Sequence, residues 1–373
     1  MVDNLEYNRG LMLSSVAQAI INRRLEARAR GNASYLVASV GRDDVSRSAD
    51  GTFVSIVPLG DDWDGALADV RGVIADALAT PPTQEEIDRE LAEFDVAFAN
   101  RVEQESIQAG ASLADDLVNA VDIREMVASP QVAYDLFTGM RARFNPQEVF
   151  ARTRDLFDAN VIRSVLVSPD AVDGGEGALQ AALEQNVDAA ANSRIAAQTV
   201  LFEDLPAIGA PGTIVAQGAV SQLGVERVTF ANGVTALLWK VDNEPGRATV
   251  KVRFGAGYRA FAPEDAPYIQ LGEMALVGQG LGPLGQEELD RIATGRKFGF
   301  NFGVEEGVFT LSADTRNADI PDQLYLFAGK LAMPRWDENP VLRAISAGEI
   351  GYDSFGSSAV GVLNRDLEYI LSN

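Results

Sequence analysis

Apolar residues recur at helical spacing over residues 8–30, where Leu11, Val16, Ala19, Ile20 and Leu25 share one face and Arg28-Ala-Arg-Gly31 ends the run. Alternation at period two takes over at 35–40 and 52–57. These segments flank the polar stretch GRDDVSRSADG and predict an antiparallel strand pair. A helical face returns over 61–78 through Trp63, Leu67, Val70, Val73, Ile74 and Leu78. Pro81-Pro82-Thr83-Gln84-Glu85-Glu86 then sets Thr83 as an N-cap with Glu86 three positions on. This is a capping box, in which the two side chains satisfy backbone N–H groups that a helix start leaves free. The helix it opens is expected to reach about residue 102. Further helices are predicted at 111–128, 130–142 and 146–159, a short strand at 161–167, and a loop at Asp173-Gly-Gly-Glu-Gly177.

Residues 203–220, EDLPAIGAPGTIVAQGAV, are rich in proline and glycine and read as the core of a linker. Strands are predicted at 227–230 and 234–239, joined through Asn232-Gly233, a dipeptide suited to the positive φ angles of a hairpin turn. A third strand is expected at 247–254 and helices at 266–277 and 286–294. A second hairpin, 298–304 with 308–313, closes through Glu305-Glu306-Gly307; a helix at 320–332 follows, and a last one begins after Pro340. One order occurs twice: strand, strand, helix, proline, long helix, first from residue 35 and again from residue 298. Long helices interspersed with antiparallel hairpins indicate an α+β fold, with helices on one face of a mainly antiparallel sheet in each of two similar domains. The boundaries expected are 1–170 for the first domain, 171–222 for the linker and 223–373 for the second domain.

Composition narrows the chemistry. The 373 residues include no histidine and no cysteine. Those are the side chains that bind transition metals best, and histidine is the usual general base near neutral pH. Cys/His zinc sites, Ser-His-Asp triads, Cys-His dyads and histidine phosphorelay are therefore excluded within this chain. A net charge of −23 repels nucleic acid and anionic lipid surfaces and favours solubility or cationic partners. Without cysteine there is no disulfide framework. No apolar run has the length of a membrane span, and MVDNLEYNRG lacks the basic and apolar regions of a signal peptide. Both termini fall within helical patterns and read as cut ends.

The chain resembles the insulinase/pitrilysin family of zinc metallopeptidases, the inverzincins. The second half carries Thr229-Phe-Ala-Asn-Gly-Val234, a strand ending in Phe254-Gly-Ala-Gly-Tyr258, Glu287-Glu288-Leu289, and Met333-Pro334-Arg335-Trp336. The first half carries Ile20-Ile-Asn-Arg-Arg-Leu25 before Tyr35, Thr83-Gln-Glu-Glu-Ile87, and Phe144-Asn-Pro-Gln-Glu-Val149. The resemblance implies a fold of the type found in LuxS and mitochondrial processing peptidase. It also implies a motif, H-x-x-E-H, whose histidines bind zinc and whose glutamate activates the metal-bound water. Aligned on its flanks, the motif falls on Ile269-Gln270-Leu271-Gly272-Glu273. Ile269 and Glu273 stand at the ligand positions and Gly272 at the base position, while Glu349 is the nearest match to the family's third ligand. Isoleucine cannot ligate, and two carboxylates without imidazole make a poor zinc site. The copy is degenerate.

Other motifs carry less. Gly280-Leu-Gly-Pro-Leu-Gly285 fits G-x-G-x-x-G but follows a helix and contains proline, which is the wrong setting for dinucleotide binding. Asn32-Ala-Ser34 is a glycosylation sequon by pattern only. Glu85-Glu86 suits the helix dipole, and Asp43-Asp44, Asp61-Asp62 and Asp115-Asp116 lack the alternating oxygen ligands of a calcium loop.

The resemblance implies the central part of a bacterial-type insulinase-family metalloendopeptidase: the second domain of the active half, then a degenerate first domain of the inactive half. The zinc-bearing domain would precede residue 1 and a fourth domain would follow residue 373. This chain would then be inactive alone, with no catalytic, cofactor or metal residue of its own. It would help form a peptide-binding chamber, extended peptide adding to a sheet edge. Its partners would be the remaining parent domains, or a catalytic partner subunit, and unstructured peptide, with no nucleic acid and no membrane span. Zinc is expected only in the parent, and periplasm or cell envelope is the expected compartment. The alternatives are a non-catalytic scaffold or assembly subunit of a heteromeric complex, and an unrelated α+β binding protein.

Overall fold

The protein is seen in a computed structural model that describes residues 4–31, 33–45, 49–122, 125–168, 171–190, 202, 205–220, 224–241 and 245–372. Asn32 of the sequon lies outside the described residues, as do 191–201, 203–204 and 221–222 of the expected linker.

The first half is built on α1 (Leu5–Arg30), β1 (Tyr35–Val45), β2 (Ala49–Pro58), α2 (Trp63–Ala79), α3 (Gln84–Gln104), α4 (Gly110–Asp122), α5 (Pro130–Gly139) and α6 (Pro146–Phe157). The capping box forms as the sequence requires: Glu86 N donates to Thr83 Oγ1 at 3.2 Å, and Thr83 N donates to Glu86 Oε2 at 2.8 Å. α1 is the central helix. Its residues Leu13, Ile21 and Leu25 pack with Val73 of α2, Ile87 of α3 and Val149 of α6 in one apolar core. Burying each such side chain stabilises the fold by roughly 1.5–3 kcal/mol.

A charged group sits inside this core. Arg24 is only 2% exposed, and its guanidinium donates to both oxygens of Glu86 at 2.8 and 2.9 Å and to Asp76 at 3.4 Å. Such a buried cation is tolerated only because carboxylates surround it.

β1 and β2 pair antiparallel from Val37↔Val57 to Val45↔Ala49, so most of the polar stretch expected as a loop extends the strands. Ala38, Val40 and Ile56 face the helices, and the opposite face is open to solvent. The outer side of β1 is closed at one point by Asn22 of α1. Its side chain donates to Val40 O at 3.0 Å and accepts from Val40 N at 2.7 Å, as a neighbouring strand would.

Two sequence expectations change here. Residues 161–167 form no strand. Val165 and Val167 are each 88% exposed, because strand propensity alone supplies no partner strand and none borders this segment among the described residues. The expected 171–222 linker contains regular structure. Gly174 and Gly175, at φ 80° and 51°, turn the chain into α7 (Gly175–Glu184), which packs on α2 through Arg71 Nη1 donating to Ala182 O at 2.8 Å.

The same stretch ends in β3 (Ile214–Val220), which pairs with β4 (Val225–Phe230) despite its proline and glycine context. β4 continues to β5 (Thr235–Trp239) through a turn with Gly233 at φ 86°. A separate sheet has the order β6-β8-β7, from β6 (Arg247–Phe254), β7 (Asn301–Glu305) and β8 (Val308–Arg316). Among the described residues, the strands of the second half thus divide between two antiparallel sheets of three.

α10 (Ile320–Ala332) packs Phe327 against Leu311 and Ala313 of β8, and Val250 and Val252 of β6 join this core. Gly257, at φ 58°, ends the turn after β6. A Cβ there would stand 1.9 Å from Glu305 O, so only glycine lets the turn meet the β7–β8 hairpin. The remaining helices are α8 (Ala266–Val277), α9 (Gln286–Ala293), α11 (Glu338–Phe355) and α12 (Ala359–Ser372). α11 starts before Pro340, which sits in its first turn, where a proline costs no intrahelical bond.

Candidate functional site

α8 carries the positions at which a metal motif was expected. Pro267 in its first turn fixes the helix start, and its apolar side packs on α11 and β7. Ile269 is buried. Gly272 leaves open space where a Cβ would stand. Glu273 lies one helical turn beyond Ile269, half-buried, and its Oε1 accepts a hydrogen bond from the backbone N–H of Val304. β7 is an edge strand, so this carboxylate occupies a backbone donor on a sheet edge that would otherwise be free.

Glu349 lies on α11, which packs against α8, but its side chain is exposed and has no bonded partner among the described residues. Among those residues no three acidic side chains converge as a metal cage would require. Zinc needs at least three donors held in tetrahedral directions. Ile269 and Gly272 offer no donor atom, and the Glu273 carboxylate is engaged by Val304. These residues do not fit the metal.

The neighbourhood holds polar residues that motif reading passed over. Gln279, fully buried just after α8, accepts from Asp337 N at 2.6 Å and donates to Asp337 O at 3.1 Å. Gln323, fully buried on α10, does the same to Gly299, at 2.9 and 2.8 Å. Each glutamine thus secures both backbone groups of a residue on a neighbouring segment. Lys330 is buried beside them: its Nζ donates to Gln279 O and lies 4.9 Å from the centre of the Phe300 ring. Burial pulls this ammonium down to about 8, against a smaller upward pull from Asp290. An amide or ammonium on an otherwise apolar helical face is the one signal that could have marked these positions.

The GxGxxG-like stretch is a tight structural turn. Leu281 bridges to Leu284 and Pro334 and packs on Gly329 of α10, and a Cβ at Gly280 would stand 2.1 Å from Leu284 O. No phosphate cradle is formed there.

No protein-family profile matches this sequence, and no curated protein matches it. Solved structures do. A mutant form of the ferredoxin protease FusC, in complex with Arabidopsis ferredoxin, aligns with TM-score 0.51 and 15% identity over 96% of this chain and 40% of its own. The periplasmic protease PqqL of Escherichia coli aligns at TM-score 0.43 and 15% identity, over 100% of this chain and 41% of its own. Pitrilysin aligns at 0.39 and 12%, over 92% and 36%. This chain therefore spans about two fifths of the FusC chain. It shares the fold of the FusC protease over 96% of its own length, as an α+β arrangement of helices and small antiparallel sheets.

Proposed function

We propose that this chain is a non-catalytic portion of an insulinase-family zinc metalloendopeptidase and helps to enclose the space in which peptide substrates are held. The observation that carries this reading is the alignment of 96% of the chain on a single peptidase. The donor-poor α8 supports the non-catalytic part, since Ile269 and Gly272 carry no donor and leave Glu273, already bonded to Val304, as the sole carboxylate at the three motif positions, too few to hold zinc.

The proposal includes two successive family domains, within 1–170 and 223–373. Each half contains a hairpin followed by a helix packed on it: β1–β2 with α2, and β7–β8 with α10. Zinc, unstructured peptide and a periplasmic or envelope setting belong to the proposed parent. No helix among the described residues is long and apolar enough to cross a membrane.

Metal analysis and a quenched-fluorescence assay on unstructured peptide test the reading on the purified chain. Less than a tenth of an equivalent of zinc and no cleavage are expected. One tightly bound zinc per chain would overturn the proposal. The gene context supplies the complementary check: an H-x-x-E-H segment in the same polypeptide or in an adjacent subunit is required.

A further inference from the structure

The β6-β8-β7 sheet has two edges, and they differ. The β7 edge is occupied at Val304 by the Glu273 carboxylate. No strand borders the outer side of β6 among the described residues. Its eight residues alternate strictly in exposure: Ala248, Val250, Val252 and Phe254 turn toward α10 and its core, while Arg247, Thr249, Lys251 and Arg253 stand exposed on the other face. Three cations on one face of one strand are notable in a chain of net charge −23. Arg247 is paired with Asp314 at 2.5 Å, and Arg253 lies 3.5 Å from Glu305. Lys251, at the centre, faces Ser312 across the strand pair and has no ion pair among the described residues.

We propose that the outer edge of β6 docks an extended acidic peptide as an added antiparallel or parallel strand. An edge strand presents a row of backbone donors and acceptors to any extended chain. Cross-strand neighbours then lie close enough for opposite charges to attract and like charges to repel. Acidic side chains at alternate positions would meet Arg247, Lys251 and Arg253, and small or apolar side chains between them would lie beside Ala248, Val250 and Val252. Charge selects this edge over the others. The open face of β1–β2 presents Val37, Phe53, Ser55 and Val57, with no cation among them. The inference is independent of zinc and of cleavage, so it can fail while the peptidase reading stands, and the reverse.

The test uses a fluorescein-labelled ten-residue peptide of alternating glutamate and valine, read by fluorescence anisotropy against the whole chain. A lysine/valine peptide of the same length serves as the charge control. Two further probes carry N-methyl groups, one on the glutamate nitrogens and the other on the valine nitrogens. An added strand aims only every second N–H at the sheet, so one methylated probe should lose at least about tenfold in affinity and the other should stay within about threefold. Lys251→Glu should weaken the parent probe at least about tenfold, and added salt should weaken it further because these charges are exposed. Lys251→Gln, with folding followed by circular dichroism, replaces it should the charge reversal unfold the chain. Equal binding of both methylated probes, equal binding of the lysine/valine peptide, or full affinity in the Lys251 variant would each overturn the proposal.

Discussion

Arg343 of α11 donates from Nη1 to the carbonyl oxygen of Ala29, 2.8 Å away at the end of α1, and so ties the second half of the chain to the first. Its other terminal nitrogen reaches Leu36 O, and Asn339 Nδ2 donates to Arg30 O and Gly31 O at 2.7 and 2.5 Å. A helix leaves its last carbonyls without intrahelical partners, and its C-terminal end attracts cations. Here those needs are met by side chains some 300 residues later in the sequence, joined by an ion pair from Arg30 to Asp290 of α9.

Arg343→Ala should destabilise the chain by about 1–3 kcal/mol, because it strands partly buried carbonyls without donors. Urea unfolding measures this as a shift of midpoint. Arg343→Lys should restore only part of the loss, since one ammonium cannot reach both Ala29 O and Leu36 O in the forked geometry of a guanidinium. An unchanged midpoint in the alanine variant would show that the cap contributes nothing.

The buried Arg24 cluster predicts a second effect, on acid stability. Burial by itself pushes the Glu86 carboxyl up, but the Arg24 guanidinium and the Thr83 hydrogen bonds outweigh it, and the net direction is down. A carboxyl lowered on folding contributes stability that is fully present above its unfolded value and is lost as pH falls through its folded one. Stability should therefore decline below about pH 4.5, the ordinary value for this group. Glu86→Gln should flatten that limb while lowering stability at pH 7. Arg24→Ala should cost more, about 3–5 kcal/mol, because it leaves Glu86 and Asp76 buried without their cation. Chemical unfolding across pH 3–7 checks both.

Much of the local structure was legible in the sequence. Thr83 and Glu86 meet within one helical turn, and Asn232-Gly233 makes its own hairpin, so short-range chemistry decides both. Residues 161–167 and 214–220 show where that stops. The first is rich in β-branched residues and has no partner strand among the described residues; the second has weak propensity but pairs with β4, because strand pairing depends on what lies across the sheet. At the candidate site the sequence exposed the missing donors at Ile269 and Gly272. It could not show that Glu273 bonds Val304, since that contact depends on how α8 packs on β7.

Lys330 predicts a second limb of the same sign, on the alkaline side. Folding lowers its pKa from 10.5 to about 8, chiefly by burial. The unfolded chain therefore binds more protons between those values, and stability should rise with pH through that window. Burial pushes the hydroxyls of Tyr35, Tyr134 and Tyr325 upward, so below pH 10 they do not mask the effect. Lys330→Met should abolish the rise. Guanidinium unfolding at pH 7.5 and 9.5 is sufficient, and equal slopes for parent and variant would refute the assignment.

The Glu273–Val304 contact yields the last prediction. In an edge strand, a backbone N–H aimed outward exchanges with solvent unless something accepts its hydrogen. Glu273 Oε1 is that acceptor. Glu273→Gln keeps an acceptor oxygen at the same reach, so exchange at Val304 should change little. Glu273→Ala removes it, and the Val304 amide should exchange at least about tenfold faster, as expected for losing one hydrogen bond of ordinary net strength or more to a charged group. Amides of β8 across the hairpin, such as Leu311, are paired within the sheet and should keep their protection in both variants. Hydrogen exchange resolved at single residues separates the outcomes. If Val304 speeds up alone, Glu273 acts as a local cap on the edge; if the whole hairpin loosens, its role lies in packing α8 against the sheet; if nothing changes, the contact is too weak to protect the strand.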